Sequence, residues 1–256
     1  MKRLYIVSDD FGLTEGVSRG IIQSIQAGCV TATSAMMCGQ ESAELTARMG
    51  GAIEGHIGLH LQLTDGTPCL PPEQIPSLVG PDGRFPRSWR NLGQLDSREI
   101  LSEWQAQYER LTGMGIRPTH LDVHHNLHRN PMVTKAYCVV ARRWRLPARS
   151  GHYILARELV RHRVTCADAS VLEWFGGELS VASLVRSAEL ALSELKGGQG
   201  TIELACHVGY VDQALRERST YVEQREAELA VLCDPSLPGR LQAAGIDLVH
   251  PEVLLS

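Results

Sequence analysis

RLYIVSDDFGLTEGVSRGIIQSIQAGCVTATSAMM, residues 3–37, decides the fold. Arg3 to Ser8 reads as a short buried strand, followed by the loop Asp9 to Leu13 and a helix from Thr14 to Ala27. Thr14 is suited to cap that helix, and Gly28 stands where a C-terminal glycine belongs. Val30 to Met37 is a second strand, Glu41 to Met49 a second helix and Gly55 to Leu63 a third strand. Repeated β/α alternation implies a mostly parallel sheet, open or closed into a barrel.

Outward from this start the alternation breaks once. Thr64 to about Asn91 carries Pro68, Pro71, Pro72, Pro76, Pro81 and Pro86. So many breakers exclude a regular element, and a loop of this length in a compact domain is expected to be a substrate-facing flap, with a plain surface excursion as the alternative. Ser97 to Leu111 then reads as a helix, Thr119 to His125 as a strand, and Asn130–Pro131 as the start of another helix. From Arg149 to about Gly200 only Val181 to Leu195 has a helical pattern; Thr201 to Cys206 is a strand, Thr220 to Leu232 a helix and Ile246 to Val249 a last strand.

The chain has 256 residues, 43% hydrophobic and 21% charged, which suits one large globular α/β domain. Its net charge of -4 arises from scattered residues without a basic block, so nucleic acid is not an expected partner. The apolar run Leu4 to Val7 is too short for a secretory leader, and no stretch approaches a membrane span. Seven dispersed cysteines without a CxxC pair argue against a disulfide framework and for a reducing, cytoplasmic setting.

Side chains able to bind metal or move protons collect at predicted strand ends, where parallel β/α folds build their active sites. The first strand delivers Asp9 and Asp10. Period-two alternation in GHIGLHLQL places His56, Gly58, His60 and Gln62 on one face. THLDVHHNLH places His120, Asp122 and His124 on one face and His125 on the other, with His128 beyond, and TIELACH ends in His207. Two histidines and one carboxylate leave coordination positions open for water and substrate, and a further carboxylate beside the metal can act as a base. Each feature has a plainer origin too, since paired aspartates are common in loops and single histidines are common as ordinary core or surface residues. The zincin pattern does not apply, because His56 and His60 lie on a strand and no glutamate follows the first.

The segments VSDDFGLTEGVSRGI (7–21), HIGLHLQLTDGTP (56–68), RPTHLDVHHNLHRNP (117–131), ELACHVGY (203–210) and YVEQREAEL (221–229) together resemble the YdjC-like carbohydrate deacetylases, a family with chitooligosaccharide and hopanoid-associated members. The resemblance runs from the first strand nearly to the C-terminus. It implies a distorted TIM-like β/α barrel in which Asp10, His60 and His124 hold one divalent metal ion, Asp9 is the base and His207 the acid. The implied ion is zinc or magnesium, with cobalt and nickel compatible. The implied reaction removes an N-acetyl group from an amino sugar or a short N-acetylglucosamine oligosaccharide, and a homodimer is compatible with it. A different acylated sugar, an aminoglycoside or a hopanoid-linked sugar is the alternative substrate; a non-haem iron oxygenase or a non-catalytic sugar-binding metalloprotein is the alternative class. The chain departs from the family at His207, Val208 and Gly209, where HPG is usual, and at Asn126, which interrupts a histidine-rich stretch. Arg149 resembles the arginine expected near the catalytic aspartate, and Arg225 with Glu226 resembles a family pair that also reads as a structural salt bridge.

Overall fold

A computed structural model describes residues 1–174 and 178–255, without the side chains of Trp89 and His128. The chain runs β1 (Lys2–Phe11), α1 (Glu15–Gln26), β2 (Ala32–Met36), α2 (Gln40–Met49), β3 (Ile57–Leu61), α3 (Ser97–Gly113), β4 (Leu121–Val123), α4 (Pro131–Trp144), α5 (Tyr153–Arg161), β5 (Ala169–Val171), α6 (Val181–Ser193), β6 (Gly200–Cys206), α7 (Gln213–Arg218), α8 (Glu223–Leu232), α9 (Leu237–Ala243) and β7 (Asp247–Leu248). Strand order is β4-β3-β2-β1-β6-β5, and every pairing is parallel. β6 covers one edge of β1 from Lys2 to Ser8, while β7 at Arg3–Leu4 and β2 from Val7 to Phe11 share the other.

The sheet curls into a distorted barrel. The gap between β4 and β5 is spanned by the bridge Leu121–Ala148, by the Ala148 N–H donating to the Thr165 carbonyl, and by a 3.0 Å contact between the Ser150 and Ser170 hydroxyls. Alternation along β1 sends Leu4 and Ile6 into the main core and Tyr5 and Val7 into a small second cluster with Ala32 and Ala167.

Local chemistry explains the element boundaries. The Thr14 side chain accepts the Val17 N–H at the start of α1, and Asn130 accepts from Met132 and Val133 at the start of α4. Gly20 on α1 has a packing reason: a Cβ there would stand 2.6 Å from Gly209 Cα, so only glycine lets the loop after β6 lie on this helix. The sequence reading stops short of α5, β5, α7 and α9. It also begins the last long helix at Thr220, whereas α8 begins at Glu223.

The proline-rich segment 64–91 contains short 3-10 turns at Pro72–Gln74 and Trp89–Asn91. It buries Ile75, Leu78 and Phe85 in the main core, and Asp65 and Arg87 reach the cavity described below. All seven cysteines are free thiols, and among the described residues no helix is long and apolar enough to cross a membrane.

Candidate active site

The sequence reading ends the first strand at Ser8 and gives Asp9 to Leu13 to a loop, but β1 continues to Phe11, and on a regular strand the adjacent Asp9 and Asp10 would face opposite ways. The register of β1 against β2 slips between Ser8 and Phe11, and Asp10 takes φ 75°. Such a backbone costs a non-glycine residue roughly 1–3 kcal/mol. The irregularity re-aims Asp10, and both carboxylates border a cavity of about 430 Å³ with His60, His124 and His207.

Three of these side chains converge. His60 Nε2 lies 3.1 Å from His124 Nδ1, and each nitrogen is 3.4 Å from Asp10 Oδ1, which has no hydrogen-bond partner. Ligands about 2.0–2.1 Å from a tetrahedral zinc stand about 3.4 Å apart. The donor atoms therefore already have the spacing of one coordination face, and the residues fit a divalent cation. Behind them, His60 Nδ1 lies 2.6 Å from Asp122 Oδ1 and 3.1 Å from Ser34 Oγ, the outer contacts that turn Nε2 toward a metal. Burial by itself lowers the His60 pKa, but Asp122 and Asp10 together raise it to about 10. Gly58 makes room below: a Cβ there would lie 2.4 Å from the His120 ring.

Two buried arginines hold the aspartates. Arg149 meets Asp9 in a two-pronged pair of 2.7 and 2.8 Å, donates to Glu203 at 2.6 Å and reaches Asp122 at 3.0 Å. One guanidinium thus serves three carboxylates. Burial raises the Glu203 pKa despite Arg149. Arg225 Nη2 donates to Asp10 Oδ2 at 2.7 Å. Burial opposes ionisation of Asp10, but Arg225 and the two imidazoles hold its carboxyl well below the usual range.

His207 Nε2 lies 3.8 Å from Asp9 Oδ2, and burial pushes its pKa down to about 4, against the pull of both aspartates. Its backbone N–H donates to Glu228, which also accepts the Tyr221 hydroxyl, and the Tyr221 ring stands edge-on to the imidazole at 5.6 Å.

The other histidines sort apart. His56 Nδ1 donates to the Thr31 carbonyl at 2.9 Å and does not border the cavity. β4 ends at Val123, two residues before the sequence reading ends it, and His125 and Asn126 adopt left-handed backbones in the following turn. Strict alternation therefore fails there: instead of facing away from His124, His125 stacks on it at 3.8 Å and meets Thr64 Oγ1 at 3.0 Å. The His128 side chain lies outside the described residues. Arg225 pairs with Asp10, while Glu226 accepts the Val211 N–H, so these neighbours do not form the salt bridge that the sequence left open.

Sequence reasoning passed over Glu203 and Glu228. Both left a signal: Glu203 is the one charged residue within the apolar run TIELAC, and Tyr221, Arg225 and Glu228 follow helical spacing on one face.

A second trio, Cys38, Cys69 and Glu103, also brings its ligand-type atoms within 4.8 Å of one another. There the Glu103 carboxylate accepts the Cys69 and Leu70 N–H groups at 3.0 and 2.9 Å and the Gln107 amide at 2.8 Å, fastening the proline-rich segment to α3.

A family model described as YdjC-like protein matches residues 3–243. A carbohydrate deacetylase of Geobacillus stearothermophilus is 35% identical over 251 residues, covering 97% of both chains. A chitooligosaccharide deacetylase of Yersinia pestis (strain Pestoides F) is 33% identical over 258 residues, covering 97% of this chain and 98% of that one. A solved structure from Enterococcus faecalis V583, provisionally described as a cellobiose-phosphate cleavage protein, superposes with a TM-score of 0.88 at 28% identity, covering 99% of this chain and 98% of that one.

Proposed function

This chain belongs to the YdjC-like protein family, and from that premise we propose that it is a divalent-metal-dependent deacetylase removing the N-acetyl group of an amino sugar or short N-acetylglucosamine oligosaccharide. The observation that carries the reading is the convergence of Asp10 Oδ1, His60 Nε2 and His124 Nδ1 beside an Asp9 fixed by Arg149. The names of the Geobacillus and Yersinia relatives support the same chemistry. A cation held by the three donors supplies Lewis acidity, polarising an acyl carbonyl and acidifying a water. Two imidazole ligands favour zinc, cobalt or nickel over magnesium.

Asp9 takes the proton of the attacking water. Arg149 fixes the carboxylate plane, and each oxygen keeps a lone pair beyond the one that faces the guanidinium. His207 is uncharged at neutral pH, so it serves as the acid only by gaining a proton during turnover. Asp9 Oδ2, 3.8 Å away, is the group placed to relay the proton it has removed, and the departing amine receives it. The cavity of about 430 Å³ lies in the range of small-ligand sites. Seven free thiols suit a reducing, cytoplasmic setting.

Acetate release from a panel of N-acetylated sugars, measured for metal-loaded protein, chelated protein and Asp9→Asn, tests this reading. Release that requires metal and is lost in the variant is expected. Full activity in Asp9→Asn would remove the base assignment, and acetate release after complete chelation would remove the metal.

A further inference from the structure

Arg225 is only 2% exposed, and its hydrogen bonds are incomplete. Nε donates to the Tyr221 carbonyl at 3.0 Å and Nη2 to Asp10 Oδ2 at 2.7 Å. Nη1 is buried without a partner, in a residue that borders the cavity. Arg149, equally buried, uses Nε, Nη1 and Nη2 on carboxylates. A buried donor left without a partner destabilises the fold, the more so when it is charged. That cost is recovered when a ligand brings an acceptor.

The guanidinium is also held rigidly. The Gly209 N–H donates to the Arg225 carbonyl at 3.3 Å, and a Cβ on Gly209 would lie 3.5 Å from Arg225 Cδ, so the loop after β6 packs along the arginine stem. A fixed, charged, unbonded donor beside Asp10 is the arrangement that stabilises developing negative charge with no reorganisation at the moment of reaction.

We propose that Arg225 is a catalytic residue whose Nη1–H binds the acyl oxygen of the substrate and then the carboxylate of the released acid. The proposal rests on the deacylation reading above. When the water oxygen bonds to the acyl carbon, the carbonyl π pair moves onto the acyl oxygen, and Nη1–H donates to that oxyanion. When the C–N bond breaks, the pair returns to re-form the carbonyl and the nitrogen leaves with its bonding pair and a proton. The carboxylic acid keeps both oxygens and passes its proton to Asp9, which is free again once its first proton has gone to the amine, so the same donor faces a carboxylate in the product complex.

Arg225→Lys tests this, because an ammonium keeps positive charge beside Asp10 but removes the second prong of the fork. Removing one oxyanion donor is expected to lower kcat about 10²–10³-fold while KM changes by no more than about threefold. Metal affinity, read by competition with a chromophoric chelator, should stay within about threefold of wild type, and the affinity of the metal-loaded protein for acetate should fall about tenfold. Retained kcat, or a loss of metal affinity large enough to account for the lower rate, would overturn the proposal and leave Arg225 as a counter-charge for Asp10. If Arg225→Lys does not fold, Arg225→Gln replaces it under the same criteria. The acetate titration needs no sugar. A wild type inert toward every N-acetyl sugar but binding acetate better than the variant would overturn the substrate reading and keep the donor; equal acetate binding by the two would overturn the donor whatever the substrate.

Discussion

At the base of the proline-rich segment, Cys38, Cys69 and Glu103 bring their ligand-type atoms within 4.8 Å of one another, as Asp10, His60 and His124 do at the ends of the strands, but the two trios are finished differently. Both Glu103 oxygens accept hydrogen bonds from backbone or amide N–H groups, and burial raises its pKa. Asp10 is paired with a guanidinium on one oxygen and bare on the other, and its carboxyl is held well below the usual range. A carboxylate with both oxygens bonded into its own fold is a fastener. One kept ionised with a lone pair free is available to a ligand.

The comparison breaks most decisively on metal binding. Titration with zinc should give one site in wild type and in Cys69→Ser, and none in His60→Ala, whose deacetylase activity should fall at least about 10³-fold. Loss of the site in Cys69→Ser would make Cys38, Cys69 and Glu103 the metal centre. Next in size is Arg149→Met, which leaves Asp9, Asp122 and Glu203 without their shared cation. Urea unfolding should show a loss of about 3–5 kcal/mol; a loss below about 1 kcal/mol would mean that these carboxyls are not ionised together. Smaller again is Glu103→Ala, which strands the Cys69 and Leu70 N–H groups. It should cost about 2–3 kcal/mol and speed hydrogen exchange at those two amides, with metal stoichiometry still one. A variant that lost metal instead would erase the distinction between fastener and site.

The legible part of this molecule is the part written in periodicity and caps. The strands that carry Asp9 and His60 and lead to His207 were readable from their apolar patterns, and Thr14, Gly28 and Asn130 mark the helix ends. The slip in β1 was not readable: the sequence reading ends the strand at Ser8 and gives Asp9 to Leu13 to a loop, whereas β1 runs on to Phe11 with a register slip and a positive φ at Asp10. The Arg149 hub was hidden from periodicity for a related reason, and only the family resemblance set Arg149 near the catalytic aspartate. Its strand amounts to a single bridge at Ala148, too short for any periodic pattern, so its partners Asp9, Asp122 and Glu203 meet only in three dimensions. α5 and β5 fall in the same weakly patterned stretch.

Glu228 lies between the two kinds of carboxylate and sharpens the boundary. It is 0% exposed, and both its oxygens are bonded, as in Glu103, but its partners are His207 and Tyr221 on the cavity wall. Burial pushes its pKa up to about 7 from the usual 4.5, so the folded protein holds this proton more tightly than the unfolded chain does. Its contribution to stability is complete below about pH 4.5 and is lost as pH rises through about 7. Each unit of pH in that window is worth about 1.4 kcal/mol. Between pH 5 and 7 wild type should therefore lose about 2 kcal/mol relative to Glu228→Gln, whose amide does not titrate, and the difference should level off above about pH 8. Urea unfolding of both proteins across this range reads the difference directly. A flat difference would mean that Glu228 is ionised throughout, which would place it with the charged groups around Asp10 rather than with Glu103.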